Sequence, residues 1–452
     1  MGPDNQNSFV GGPGVSPNMD STPSQQPKKR WPFSRTATII GGVVLGIVII
    51  ALLFVFGGGM QSKKKAVISR DNDPSLYVSR PGFSHDNAIG DATPLVQVPA
   101  SIVQYHGQNV MQACSVVELK DVSDAGLYVA PSPIPGDIDR TFFDGKGAAQ
   151  IDASDDFNLP SDDQSNTCLY KFQEKGFVAV NVYQDAYTNA DALNKEIRRR
   201  YTAAPDAHGV QVFTQNPIKP ITPSDVDPNL TGYLLRSGNT AVRISMDSSN
   251  VNGKNKLLNA IEANFAAALN TPTPLSLFEY KSPVFTKPVT MACDLTDNNT
   301  VKVVTGSDAS PLAHEAPGSA IGVINQGNNN VYNYIDSSCD RLTVTKYSSD
   351  ASRIKLTAET YEDVNAAKHA FAYAKSGPFT KDIISTPSTL GDESFFGDTA
   401  TMEHSVVFRK GRVVVYTSYD LPINKDSSLP AAQRLQALMP AMAQIVSNVK
   451  NY

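Results

Sequence analysis

YLLRSGNTAVRIS at Tyr233–Ser245 and VVFRKGRVVVYTS at Val406–Ser418 are two copies of one pattern. Each sets runs rich in apolar residues on either side of a glycine, the signature of a tight hairpin whose turn needs positive φ. Gly238 lies 70 residues after Cys168 and Gly411 lies 72 after Cys339. The match extends in both directions. Upstream, Met111-Gln-Ala-Cys114-Ser is echoed by Thr290-Met-Ala-Cys293-Asp, and a second cysteine follows each, Cys168 and Cys339.

After each second cysteine the spacing predicts a strand pair and a helix. In the first copy these are Leu169–Phe172, Phe177–Tyr183 and a helix near Ala190–Tyr201, capped by Asn189, with Leu193, Ile197 and Tyr201 on one face. In the second they are Leu342–Lys346, Ile354–Ala358 and a helix near Tyr361–Ser376. That helix has a Thr360/Asp363 cap and Val364, Ala367, Phe371 and Ala374 on one face. Each hairpin leads into a last amphipathic helix. One carries Leu258, Ile261, Phe265 and Ala268. The other carries Leu435, Leu438, Met442, Ile445 and Val449, with Pro440 expected to kink or break it.

Six elements in one order, twice, predict a tandem duplication. The expected fold class is α+β: two antiparallel-sheet domains, 94–270 and 275–452, with helices packed on one side and the stiff linker 271–274 between them. The repeat also chooses the cysteine pairing, one bridge per copy: Cys114–Cys168 and Cys293–Cys339. No C-x₂₋₄-C pair suggests zinc, and solitary cysteines at equivalent places point to an oxidising compartment.

Before the duplication lies Thr36–Phe56, TATIIGGVVLGIVIIALLFVF, 21 residues without a charge. As a helix it would reach about 31 Å, enough to cross the hydrocarbon core of a bilayer. The sequence therefore predicts a polar, disordered tail at 1–35, a transmembrane helix at 36–56 that contacts membrane lipid, and a stalk at 57–93. Residues 1–70 hold eight basic groups against Asp4 and Asp20, so residues 71–452 carry the remaining −11 of the net charge of −5. An acidic soluble part repels phosphate backbones, which argues against nucleic acid as a partner. Lys/Arg counts on the two flanks of the span tie, four against four, and the cysteines break the tie: N-terminus cytoplasmic, residues 57–452 outside.

No catalytic residue, cofactor site or metal site is read from the sequence. His314-Glu315 opens like H-E-x-x-H, but Gly318 stands where the second histidine belongs, and flanking prolines suggest a loop. Gly391-Asp392-Glu393-Ser394 reads as a turn. The acidic cluster Asp152, Asp155, Asp156, Asp162 and Asp163 lacks the order of a calcium loop and reads as a solvated surface. The site residues expected are the four cysteines.

Ala292-Cys293-Asp294-Leu295, Ser338-Cys339-Asp340, Leu390-Gly391-Asp392-Glu393-Ser394 and the run Phe408–Val415 together resemble secreted actinobacterial lipoproteins of the PsbP-like α/β sandwich class. They are also similar to the extracellular sensor domains of some bacterial serine/threonine kinases. The resemblance covers 280–452 and, more thinly, 100–270, where Cys114-Ser115 replaces Cys-Asp. It implies a disulfide-bearing sandwich engaged in ligand sensing or envelope function without catalysis. This chain differs in having a spanning segment and no kinase domain. The expected function is thus a single-pass membrane protein displaying two sensor-like, ligand- or partner-binding domains. The competing expectations are an envelope hydrolase using an unrecognised carboxylate or serine site and, last, a pilin-like subunit.

Overall fold

The computed structural model describes residues 95–129, 138–150, 165–172, 175–184, 190–216, 229–280, 285, 289–325, 330–343, 351–376, 381–384, 390–399, 402, 404–421 and 430–450. The tail, the 36–56 span, the stalk, the acidic stretch 152–163 and the Asn189 cap lie outside them. Among the described residues no helix is long and apolar enough to cross a membrane.

The fold is α+β, organised by one large antiparallel sheet. The first copy supplies β4 (Ile138–Phe143), β5 (Asn166–Lys171), β6 (Phe177–Tyr183), β7 (Tyr201–Ala203), β8 (Gln211–Gln215), β9 (Leu230–Ser237) and β10 (Thr240–Asp247). The second supplies β12 (Leu312–Asn325), β13 (Asn330–Leu342), β14 (Arg353–Tyr361), β15 (Lys381–Ile384), β16 (Glu393–Asp398), β17 (Ser405–Lys410) and β18 (Val413–Asp420). Outward from the middle, the first copy runs β4-β5-β6-β10-β9-β8-β7 and the second runs β12-β13-β14-β18-β17-β16-β15. The orders correspond strand for strand.

Among the described residues, the two sheets expected as separate domains are therefore halves of a single 14-stranded sheet, and this corrects the sequence reading. The joint is β4 against β12, antiparallel, with Arg140 opposite Glu315. Equivalent strands paired antiparallel place a local two-fold axis between them. A second layer obeys the same axis: β1 (Leu95–Pro99) pairs antiparallel with β11 (Ser276–Tyr280), and Val98 faces Leu277. The spacing between Val98 and Leu277 is the one that separates Cys114 from Cys293. The small ribbon of β2 (Gln104–Tyr105) and β3 (Gln108–Asn109) follows β1.

Both faces of the sheet are covered, where the sequence suggested one. Alternate residues of a strand point to opposite sides. On one face Val180, Val242 and Ile244 pack with Leu257, Ile261 and Phe265 of α4 (Val251–Ala268). On the same face of the second half, Leu356, Val406 and Phe408 pack with Leu438, Met442 and Ile445 of α7 (Ala431–Asn448). Each such side chain contributes about 1.5–3 kcal/mol by leaving water. The opposite face carries α3 (Ala190–Arg200), with Leu193 and Ile197 on Tyr183, Leu234 and Ala241. It also carries α6 (Val364–Ser376), with Ala367, Ala370 and Phe371 on Phe395, Val407 and Val414. Short helices fill the ends of the first layer: α1 (Ala113–Val116), α2 (Leu119–Asp124), the 3-10 turn Ala292–Leu295 and α5 (Asn298–Thr305).

Local chemistry explains most of the agreement with the sequence and the departures. Gly238 and Gly411 open two-residue turns at φ of 59° and 60°, closing β9–β10 and β17–β18 as the matched pattern requires. Asp363 alone caps α6, accepting the Ala366 N–H at 2.8 Å; Thr360 stays in β14 and accepts the Thr290 N–H instead. Val364 consequently falls on the solvent side at 43% exposure, and Ala366 takes the buried place. The α7 helix runs unbroken across Pro440. Of the strand expected at Leu342–Lys346, Leu342 is the last residue of a much longer β13 and 344–346 lie outside the described residues; the stretch between Cys293 and Cys339 holds α5, β12 and most of β13.

Candidate functional site

The four cysteines pair as the repeat required. Cys114–Cys168 joins α1 to β5, and Cys293–Cys339 joins the equivalent 3-10 turn to β13, with Cα separations of 5.0 and 5.1 Å. All four residues are buried. A matching hydrogen bond accompanies each bridge. The Ala113 N–H donates to Asn166 Oδ1 at 3.0 Å, and the Ala292 N–H donates to Ser337 Oγ at 2.7 Å. In each half the donor precedes the first cysteine and the acceptor sits two residues before the second. Closing loops of 54 and 46 residues stabilises each half by roughly 4 kcal/mol in the chain-entropy account.

Two buried ion pairs cross the joint between halves. Arg140, opposite Cys168, and Glu315, opposite Cys339, are equivalent residues that meet each other on the local axis. Arg140 Nε donates to Glu315 Oε2 at 2.9 Å, Nη1 reaches the Ser276 carbonyl of β11, and the guanidinium lies 4.0 Å from the Phe142 ring centroid. Arg341, fully buried, holds Asp144 through Nη1 and Nη2 and donates from Nε to Thr296 Oγ1 at 3.2 Å. These pairs lock the halves in register.

The second half contains a feature the sequence did not reveal. Asp336 of β13 and Glu359 of β14 are register partners on the face covered by α6. Such partners have Cβ atoms about 4.5–5.5 Å apart. Both are buried, at 5% and 8% exposure. Glu359 Oε2 accepts the hydroxyls of Tyr361 at 2.8 Å and Tyr416 at 3.3 Å, and Tyr334 stacks on Tyr361 at 5.1 Å. Asp336 Oδ1 is buried without a hydrogen-bond partner. Burial, then the charge of Glu359, pushes the Asp336 pKa up to about 8. Burial pushes Glu359 up to about 7, against the pull of the two phenol hydrogen bonds. Two carboxyls so placed hold a proton more tightly than free carboxyls do. Its sequence signal was faint: lone acids inside strands, one of them three residues before a cysteine.

The His314-Glu315 and Asp392-Glu393 motifs singled out in the sequence are engaged in structure. His314 and Glu315 lie in β12, not in a loop, and face opposite sides. His314 Nε2 meets Asp139 at 2.6 Å and Nδ1 lies 3.7 Å from Asp340. Burial disfavours its charge, yet the hydrogen bonds to Asp139 and Asp340 outweigh burial and hold its pKa up at about 10. The ion pairs continue through Arg353 to Asp420 and Lys355. Asp392 and Glu393 clamp Arg409, accepting Nη1 at 2.7 Å and Nε at 2.5 Å, while Asp392 also accepts the Gly411 N–H at 2.8 Å. Gly391 brings this clamp close: at φ 66° it has room for no Cβ, which would sit 2.4 Å from the Arg409 carbonyl.

No family model, no curated protein and no solved structure matches this chain.

Proposed function

We propose that the chain is a single-pass membrane protein whose tail 1–35 faces the cytoplasm and whose residues 57–452 lie outside, binding a ligand or an envelope partner without catalysis. The observation that carries this reading is the pair of buried disulfides at equivalent positions, a use of cysteine that belongs to oxidising compartments. The uncharged run 36–56 supplies the anchor. Binding rather than turnover is favoured because the acids that converge are already committed. Asp392 and Glu393 hold Arg409, and Asp336 and Glu359 are sealed beneath α6. Placement is tested by Val251→Cys, at a position 61% exposed, with a membrane-impermeant maleimide applied to intact cells. Labelling without lysis is the expected result; labelling that requires lysis overturns the topology.

One observation favours a second reading, an envelope hydrolase: Asp336 and Glu359 have the raised pKa values that a general acid needs. Release of soluble fragments from cell-wall material by the full chain, abolished by Glu359→Gln, would establish it over the first.

A further inference from the structure

We propose that Asp336 and Glu359 share one proton at neutral pH, and that its loss to solvent loosens α6 from the sheet, giving the second half a pH-responsive element. The inference does not depend on which side of a membrane the protein occupies.

The geometry makes two like charges at this place untenable. The carboxyls oppose each other on adjacent strands under an apolar lid, to which α6 contributes Ala366, Ala367, Ala370 and Phe371. Tyr361 and Tyr416 both spend their hydroxyl protons on one oxygen, Glu359 Oε2, so neither serves Asp336. The buried Asp336 Oδ1 is left with no donor, which a carboxyl proton held between the two side chains would supply. The remaining groups around the pair do not replace that proton. Tyr334 is kept in its neutral form by burial and by the Glu359 and Asp336 charges. Burial lowers the pKa of Arg412, whose carbonyl accepts the Tyr361 N–H, and Arg409 belongs to Asp392 and Glu393. Farther along the same face, Arg353 and Lys355 are tied to Asp420, and His314 lies between Asp139 and Asp340. The exposed side of α6 carries Lys368, His369 and Lys375, turned from the sheet.

The direction of the effect follows from linkage. Both carboxyls bind their proton more tightly in the folded protein, with values of about 8 and about 7, than in the unfolded chain, where carboxyls titrate near ~4. Folding therefore takes up protons across that window. The stabilisation is complete below the unfolded value and is lost as pH rises through the folded ones.

The test uses the full chain in detergent micelles. An infrared band of a protonated carboxylic acid is expected at pH 6.5, absent at pH 9 and weakened in Asp336→Asn. Hydrogen-exchange protection of 364–376, measured relative to α3, should fall about tenfold between pH 6 and pH 9, and Asp336→Asn should flatten that fall. If Asp336→Asn does not fold, the double variant Asp336→Ser, Glu359→Tyr copies residues carried at the equivalent places of the first half and gives the same reading. Absence of the band at pH 6.5, or α6 protection that tracks α3 at every pH, overturns the proposal.

Discussion

The two halves use the same scaffold differently on the same face. By strand register, with Leu356 opposite Cys339 and Val180 opposite Cys168, Asp336 and Glu359 of the second half correspond to Ser165 and Tyr183 of the first. Ser165 is met by a neutral side chain: Asn181 Nδ2 donates to Ser165 Oγ at 3.2 Å and to Thr167 Oγ1 at 2.7 Å. The hairpin arginines diverge likewise. Arg236 reaches the Gly238 carbonyl and Asn194, whereas Arg409 reaches the Gly411 carbonyl and two carboxylates. At the hairpin arginines the backbone-directed contact is common to both halves, and the paired carboxylates are found in the second. The duplicated parts hold the fold, and the unequal parts are where a specialised role belongs.

The strongest way to break the comparison is at the axis. Arg140→Glu makes the two equivalent residues identical and leaves like charges buried 2–3% exposed; a loss of at least about 4 kcal/mol in denaturant unfolding is expected. Replacing the pair together, Arg140→Met with Glu315→Leu, should recover most of that loss, because no charge is left stranded. Removing one bridge, as Cys114→Ala with Cys168→Ala or as Cys293→Ala with Cys339→Ala, should cost about 2–5 kcal/mol in either half. Calorimetric losses differing by more than about 2 kcal/mol between the two would show that the halves do not share the bridge's role. The arginines sharpen the contrast: Arg409→Ala should cost about 2–3 kcal/mol and Arg236→Ala under about 1 kcal/mol, since only the former strands half-buried carboxylates. A comparably small loss, about 1 kcal/mol by the same assay, is expected from Ser337→Ala, matching Asn166→Ala if the two bonds beside the bridges are equivalent.

What was legible in the sequence was local. Gly238 and Gly411 mark turns because positive φ is a property of one residue, and Leu193, Ile197 and Phe371 mark helix faces because periodicity needs only a short window. The cysteine pairing was legible because two copies constrained it. The single sheet was not, since the bond between β4 and β12 joins residues as distant as Arg140 and Glu315, and nothing local distinguishes a covered edge from an open one. β13 escaped because Asp336, Ser337 and Ser338 interrupt any apolar alternation; the burial of Asp336 depends on α6, which arrives later in the chain, and Ser337 is buried on the opposite face against the Ala292 N–H. The acid pair was hidden for the same reason.

The antiparallel joint also sets an order of events during synthesis. A chain made from its N-terminus presents β4 roughly 170 residues before β12 exists, an interval on the order of 10–30 s at ordinary elongation rates. Through that interval the first half carries an open strand edge beside an arginine whose counter-charge has not been made. An unprotected edge recruits any passing strand, most dangerously the same edge of a neighbouring nascent chain. There the axis acts as a sorting rule: two first halves would bring Arg140 against Arg140, and only a second half offers Glu315. The charge that looks like a fastener in the finished molecule serves, in the unfinished one, as a refusal of the wrong partner.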